Sequence, residues 1–193
     1  MAAKQQEELR VKRIAILMTD GVEQVEYTRP REFLEQHGAQ CTLISPKKSG
    51  EEIQGFNHLT PADKFKVEMS VKDARAGDFD ALLLPGGVAN PDQLRLSREA
   101  IAFIREFAKA DKPIAAICHG PWTLIDAGIA KGKRMTSWPT LQSDLRNAGA
   151  DWVDEQVVVD GRLVTSRKPD DIPAFDKALL ERLTHDHVSS AKH

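Results

Sequence analysis

Short apolar runs alternate with segments of helical periodicity along most of this chain. Residues 11–18 form the first run, interrupted by Lys12 and Arg13, and read as a buried strand closed by the turn Thr19-Asp-Gly21. A helix is expected over residues 23–36, with Val25, Phe33 and Leu34 inward and Gly38 as its stop; Pro30 should bend it or mark its true start. Residues 40–45 read as a second strand, closed by Pro46. Residues 47–78 are irregular, broken by Gly50, Gly55, Pro61 and Gly77, and admit only small strands or an edge hairpin. The pattern sharpens at Asp80-Ala-Leu-Leu-Leu-Pro-Gly-Gly87, a strand running into a tight turn. Asn90-Pro-Asp92 then suits a helix opening, with Asn90 as N-cap and Pro91 at the first helical position. Residues 97–108 are amphipathic, apolar at Ile101, Ile104, Phe107 and Ala108.

Residues 114–117 form the next strand, followed at once by Cys118-His-Gly-Pro121 and a helix over residues 122–127. A short strand at Met135-Thr136 and a helix over residues 141–147 come next. Residues 155–159 and 162–165 flank Asp160-Gly161, which suits a type I′ hairpin turn. A last helix is expected over residues 172–187, ahead of a polar tail. Strands alternating with helices predict a mainly parallel α/β sheet with helices on both faces, in one domain over residues 1–193, with residues 1–10 as a frayed arm.

Composition narrows the function. At 193 residues, 41% hydrophobic, the chain can bury a sizeable core. Lys and Arg (27) nearly balance Asp and Glu (29), so neither nucleic acid nor an anionic membrane is indicated as a main partner. No apolar run approaches a membrane span, and the N-terminal residues lack a secretory h-region. The two cysteines, Cys41 and Cys118, are too few for a disulfide framework, which favours a reducing cytoplasm.

The candidate chemistry centres on Cys118. A cysteine between a buried strand and a helix start has the layout of a nucleophile elbow, where a tight turn holds the side chain out of the sheet. The helix N-terminus behind it favours a thiolate. His119 reads as base or thiolate partner, or as a structural histidine, and its N–H as an oxyanion donor. Gly86-Gly87 can bring further N–H groups to a reacting carbonyl, or simply turn the chain. Glu23 follows the first strand; on physical grounds alone it complements a helix dipole, as does Asp92. Glu23, Gly86-Gly87 and Cys118 each follow a strand end, and parallel strands would gather them at one sheet edge, where α/β sheets bind ligands. Cys41 is read as structural. His185 and His187 lack a third metal ligand, and Trp122, Trp138 and Trp152 are read as core or interface residues rather than substrate platforms. No metal or organic cofactor is called for.

Ala116-Ile-Cys-His-Gly-Pro121, Leu83-Leu-Pro-Gly-Gly87 and Glu23-Gln-Val-Glu-Tyr27 together resemble the PfpI-type intracellular protease family, within the superfamily of the parkinsonism-associated deglycase. Thr136-Ser-Trp-Pro139, Ala148-Gly-Ala-Asp-Trp-Val153, Val157-Val-Val-Asp-Gly161 and Val164-Thr-Ser-Arg167 extend the resemblance from about Lys12 to Leu183. It implies a flavodoxin-like three-layer sandwich, like that of class I glutamine amidotransferases, though no late His-x-Glu pair is present to complete an amidotransferase triad. It implies Cys118 as nucleophile with Glu23 hydrogen-bonded to its sulfur. It also implies that His119 is oriented by an acidic residue from a neighbouring subunit, here Asp92, so that the site is completed in a homodimer or larger homo-oligomer. The activities it implies are glyoxalase or deglycase action on small carbonyls and glycated adducts, cysteine peptidase action on peptides, or a redox-responsive stress role without catalysis.

Overall fold

The computed structural model describes residues 12–184; the expected arm at residues 1–10 and the pair His185/His187 lie outside them. In chain order the elements are β1 (Arg13–Leu17), β2 (Val22–Glu23), α1 (Gln24–Gln36), β3 (Gln40–Ser45), β4 (Glu52–Asn57), β5 (Thr60–Lys66), β6 (Met69–Ser70) and β7 (Ala81–Leu84). They continue with α2 (Ala89–Leu96), α3 (Arg98–Lys109), β8 (Ile114–Ile117), α4 (Trp122–Asp126), β9 (Arg134–Met135) and α5 (Gln142–Asn147). The last are β10 (Asp151–Trp152), β11 (Val157–Asp160), β12 (Leu163–Ser166) and α6 (Ile172–Thr184).

Seven strands form the main sheet in the order β11-β12-β8-β7-β1-β3-β6, parallel throughout except for the β11–β12 hairpin. Period-two alternation sends Ala15, Leu17, Leu82, Leu84, Ile114 and Ala116 to one face, into a core shared with Ile101, Ile104 and Phe107 of α3. Ile14, Ile16, Leu83, Ala115 and Ile117 point the other way, into a core with Leu34 of α1 and Phe175 and Leu179 of α6. Two cores on two sheet faces make the flavodoxin-like sandwich. The central strands are buried on both sides, which is why they read as continuous apolar runs.

Several local expectations change. Pro30 neither starts nor ends α1, which runs through it; the ring sits buried, and only the one backbone bond its nitrogen cannot donate is lost. Leu34 is buried as expected, but Val25 and Phe33 are only partly so, and Glu26 and Tyr27 take the inward face. Helix α2 begins at Ala89 without a side-chain cap, so Asn90 is not an N-cap. Ser97 does cap α3, its Oγ accepting from Ala100 N at 3.1 Å, and Phe103 rather than Ala108 completes the buried stripe. In the β11–β12 hairpin Asp160 pairs with Leu163, so the turn centres on Gly161-Arg162. Gly161 alone has positive φ (61°), the pattern of a type II′ turn rather than I′. The irregular third of the chain contains the β4–β5 hairpin, whose β4 strand pairs with β2.

Candidate active site

Strand β8 ends at Ile117 because the chain turns sharply there. Gly120 N donates to Ile117 O at 2.9 Å across Cys118 and His119, and Cys118 adopts φ +61°. A non-glycine residue in this region costs about 1–2 kcal/mol, and the elbow is held by its neighbours. Cys118 N donates to Ser166 O at the end of β12, and Trp138 N donates to Cys118 O at 2.8 Å. The strained turn has the geometry expected of a nucleophile elbow.

Cys118 Sγ is buried among four groups. The backbone N–H groups of Gly87 and His119 point at it, and the Glu26 carboxyl lies against it, its Oε1 buried without a hydrogen-bond partner. His119 Nδ1 lies 3.3 Å away. Burial, and then the nearby Glu26, push the Cys118 thiol well up. Burial also pushes Glu26 up, to about 8, with Glu23 adding to the effect and the Gly86 N–H opposing it. Glu26 Oε2 accepts that N–H at 2.8 Å. His119 is lowered by burial and is neutral at pH 7; its ring stacks on Trp138 with centroids 5.9 Å apart.

Glu26 is thus the carboxyl at the sulfur, and Glu23 is not. Glu23 sits three residues earlier, in β2, and its Oε2 accepts from His58 N at 3.0 Å at the tip of the β4–β5 hairpin. The Gly-Gly turn also divides its work. Gly86 N is taken by Glu26, so the N–H groups at the sulfur are those of Gly87 and His119. Gly86 must be glycine for space: a Cβ there would lie 2.5 Å from Glu26 Oε2 and 2.6 Å from Cys118 Cβ. Asn90 secures this loop, its Nδ2 donating to Pro85 O and Gly86 O at 3.0 Å each while its Oδ1 accepts from Thr19 N at 2.7 Å. Asp92 is exposed on α2 and does not line the cavity of its own chain. Among the described residues no carboxylate is hydrogen-bonded to His119, and none forms a His/Cys/Asp/Glu cluster fit for a metal ion.

The thiol opens into a cavity of about 540 Å³. Glu23, Glu26 and His119 line its floor side, Trp122, Trp138 and Leu141 form an apolar wall, and His58, Leu59 and Val88 stand at its edge. Trp122 and Trp138, expected as core or interface residues, are partly buried against the two cores and also wall the cavity. Trp152 is a core residue, buried, with Nε1 donating to Ser137 Oγ at 2.9 Å. Cys41 is buried and remote from the site, as expected of a structural cysteine.

With this geometry established, residues 12–182 match the DJ-1/PfpI family. The chain belongs to that family. It is 42% identical over 172 residues to a Bacillus subtilis protein carrying the name cysteine protease YraA, spanning 89% of this chain and 98% of the relative. It is 42% identical to general stress protein 18 of the same organism (89% and 99%) and 39% identical to protein/nucleic acid deglycase 2 of Escherichia coli (89% and 98%). Among solved structures, a two-domain Anabaena variabilis protein with DJ-1/ThiJ/PfpI-like and ferritin-like domains superposes with TM-score 0.83 at 35% identity. That match covers 89% of this chain but 48% of the larger protein. Drosophila melanogaster DJ-1beta superposes with TM-score 0.81 at 28% identity, covering 91% and 92%. The DJ-1/PfpI family member described here also has no helix, among its described residues, long and apolar enough to cross a membrane.

Proposed function

We propose that this protein is a cysteine-dependent enzyme acting on small reactive carbonyls or on their adducts, with Cys118 as nucleophile. The observation that carries the reading is the sharing of one buried site by a thiol, a carboxyl that holds its proton up to about pH 8, and two backbone N–H donors. A thiol beside a carboxylate is a poor nucleophile, because two buried anions repel; a thiol beside a protonated carboxyl can pass its own proton on and become a stabilised thiolate. With methylglyoxal, Cys118 Sγ bonds to the aldehyde carbon, the carbonyl π pair moves to oxygen, and the Gly87 and His119 N–H groups receive that oxygen. Glu26 relays the thiol's proton, accepting it as it gives its own to that oxygen, so that a hemithioacetal forms with Glu26 again protonated and His119 still neutral. Neutral His119, at 3.3 Å from the sulfur, is placed to take the C1 proton so that it returns at C2, leaving a thioester. Water then releases lactic acid and the thiol; the sum is methylglyoxal plus water, with no external oxidant or reductant.

Peptidase action is the second reading. The name borne by YraA favours it, and it requires Asp92 of a second subunit to orient His119. The family's deglycase and stress-protein names favour the first. The deciding experiment compares wild type with Cys118→Ala on methylglyoxal and on a fluorogenic peptide side by side. Cofactor-free loss of methylglyoxal that the variant abolishes is the expected result; equal loss in the variant ends the proposal. Cys118-dependent cleavage of the peptide alone would establish the second reading. Loss of both activities in Asp92→Asn, with sedimentation unchanged, would identify the intersubunit carboxylate.

A further inference from the structure

The carbonyl chemistry occupies only the floor of the cavity. A volume of about 540 Å³ belongs to the range that houses drug-sized ligands, far larger than a three-carbon dicarbonyl. What stands over the remainder is the tip of the β4–β5 hairpin. There Asn57 pairs with Thr60, so His58 and Leu59 form a two-residue turn, and His58 takes φ +54°, a conformation glycine favours. Leu59 has almost no packing of its own: it is 93% exposed, yet it borders the cavity. The tip is nonetheless fixed. Glu23, itself only 7% exposed, accepts the His58 N–H at 3.0 Å. The backbone of Glu23 pairs with Phe56 of β4 and donates to Gly86 O at 3.3 Å. Further along the hairpin, Gln54 N donates to Asp20 Oδ1 at 2.8 Å and Asp63 N donates to Gln24 Oε1 at 2.7 Å. The segment that delivers Glu26 to the thiol therefore also aims the hairpin over it.

From this arrangement we infer that Glu23 is a positioning residue, and that the His58–Leu59 tip it holds recognises the part of a substrate that lies beyond the reacting carbonyl. The preferred substrate class is a carbonyl adduct on a larger carrier with apolar surface. Two further observations agree. The facing wall is Trp122, Trp138 and Leu141, and no Lys or Arg among the described residues lines the cavity, so nothing there pairs with an anionic carrier. This inference deepens the carbonyl reading and rests on it.

The test compares two hemithioacetals of methylglyoxal, one on 2-mercaptoethanol and one on N-acetyl-Cys-Leu-Phe-amide. Leu59→Ala is expected to raise KM for the peptide adduct at least fivefold more than KM for the small adduct, with kcat for the two changing in parallel. Glu23→Ala should do the same, and Glu23→Gln, whose carbonyl oxygen still accepts the His58 N–H, should restore wild-type discrimination. Val159→Ala, exposed on β11 and away from the cavity, serves as the control. Equal KM changes for both adducts, a fall in kcat alone, or an effect of Leu59→Ala confined to sedimentation would each overturn the inference. If wild type consumes neither adduct, the carbonyl reading fails, and alkylation of Cys118 still tests the tip. Leu59→Ala and Glu23→Ala should then lower the rate with a pyrene maleimide at least threefold relative to iodoacetamide; an unchanged ratio would refute the role of the tip by itself.

Discussion

Glu26→Gln isolates the central electrostatic claim, that Glu26 and Cys118 share a single negative charge. Glu26 is pushed up to about 8 by burial, and Cys118 is raised by burial and by Glu26. Two unit charges about 4 Å apart at an effective dielectric near 20 repel by about 4 kcal/mol, roughly a thousandfold in an equilibrium constant. The first proton to leave the pair does so near pH 8, and it leaves two tautomers in a ratio that does not depend on pH: thiolate with neutral carboxyl, or thiol with carboxylate. The second proton is held back further by that repulsion. The thiolate fraction, and with it the rate of alkylation by iodoacetamide, should therefore climb tenfold per pH decade below about 8 and then level off. In Glu26→Gln the carboxylate is gone and nothing titrates at 8, so the rate should keep climbing through pH 9 and 10. Turnover should move oppositely, falling at least a hundredfold at pH 7, since glutamine has no proton to give the new oxyanion. Superimposable pH–alkylation curves for the two proteins would refute the shared charge, and turnover within threefold of wild type would remove Glu26 from the proton path.

Other consequences follow from the same geometry. Gly86→Ala places a methyl against Glu26 Oε2 and Cys118 Cβ, and should cost at least a hundredfold in Cys118-dependent turnover while circular dichroism stays native. Asn90→Ala strands Thr19 N and the Pro85 carbonyl and removes one of the two donors to Gly86 O, and urea unfolding should show a loss of about 2–4 kcal/mol. Asp176, buried on α6, is raised to about 7 by desolvation, with Arg29 partly opposing the rise. Because its folded value lies above the ordinary 3.8, the folded state holds the extra proton, and stability falls as pH rises from about 4 through 7. Asp176→Asn should therefore raise stability by about 4 kcal/mol at pH 8 and change it little at pH 4, measured as the shift in urea midpoint; an equal gain at both pH values would contradict this.

The sheet was legible because its central strands are buried on both faces and leave continuous apolar runs at residues 13–17, 81–84 and 114–117. Where the signal was local but ambiguous, tertiary structure decided. Asn90 has the residue type of an N-cap, yet a buried amide that joins Thr19, Pro85 and Gly86 satisfies three backbone groups at once, more than a cap on α2 would. The β4–β5 hairpin was obscure because five of the seven positions of β5 are exposed, which removes the alternation that marks a half-buried strand.

The elbow geometry was legible at Cys118, where a cysteine abuts a strand end and a helix start, but the carboxyl that lies at its sulfur is Glu26, three residues from the expected Glu23. Both glutamates of Glu23-Gln-Val-Glu26 follow the first strand, and proximity to the strand end favoured Glu23. Helical spacing contained the better signal. Glu26, Pro30 and Leu34 recur at i, i+4 and i+8, so the only acid among them lies on the stripe that faces the core. A carboxyl on an apolar helix face must be paired or neutral, whereas one in a connecting turn has water as an alternative. The two acids sit differently: Glu26, wholly buried, is pushed up to about 8, and Glu23, buried at the cavity, accepts the His58 N–H at the hairpin tip; in the proposed division Glu26 serves the chemistry and Glu23 fixes the hairpin. If that division holds, Glu23→Gln should be nearly silent and Glu26→Gln severe in the same assay. The reverse ranking would return Glu23 to the proton path and leave Glu26 as a buried structural acid.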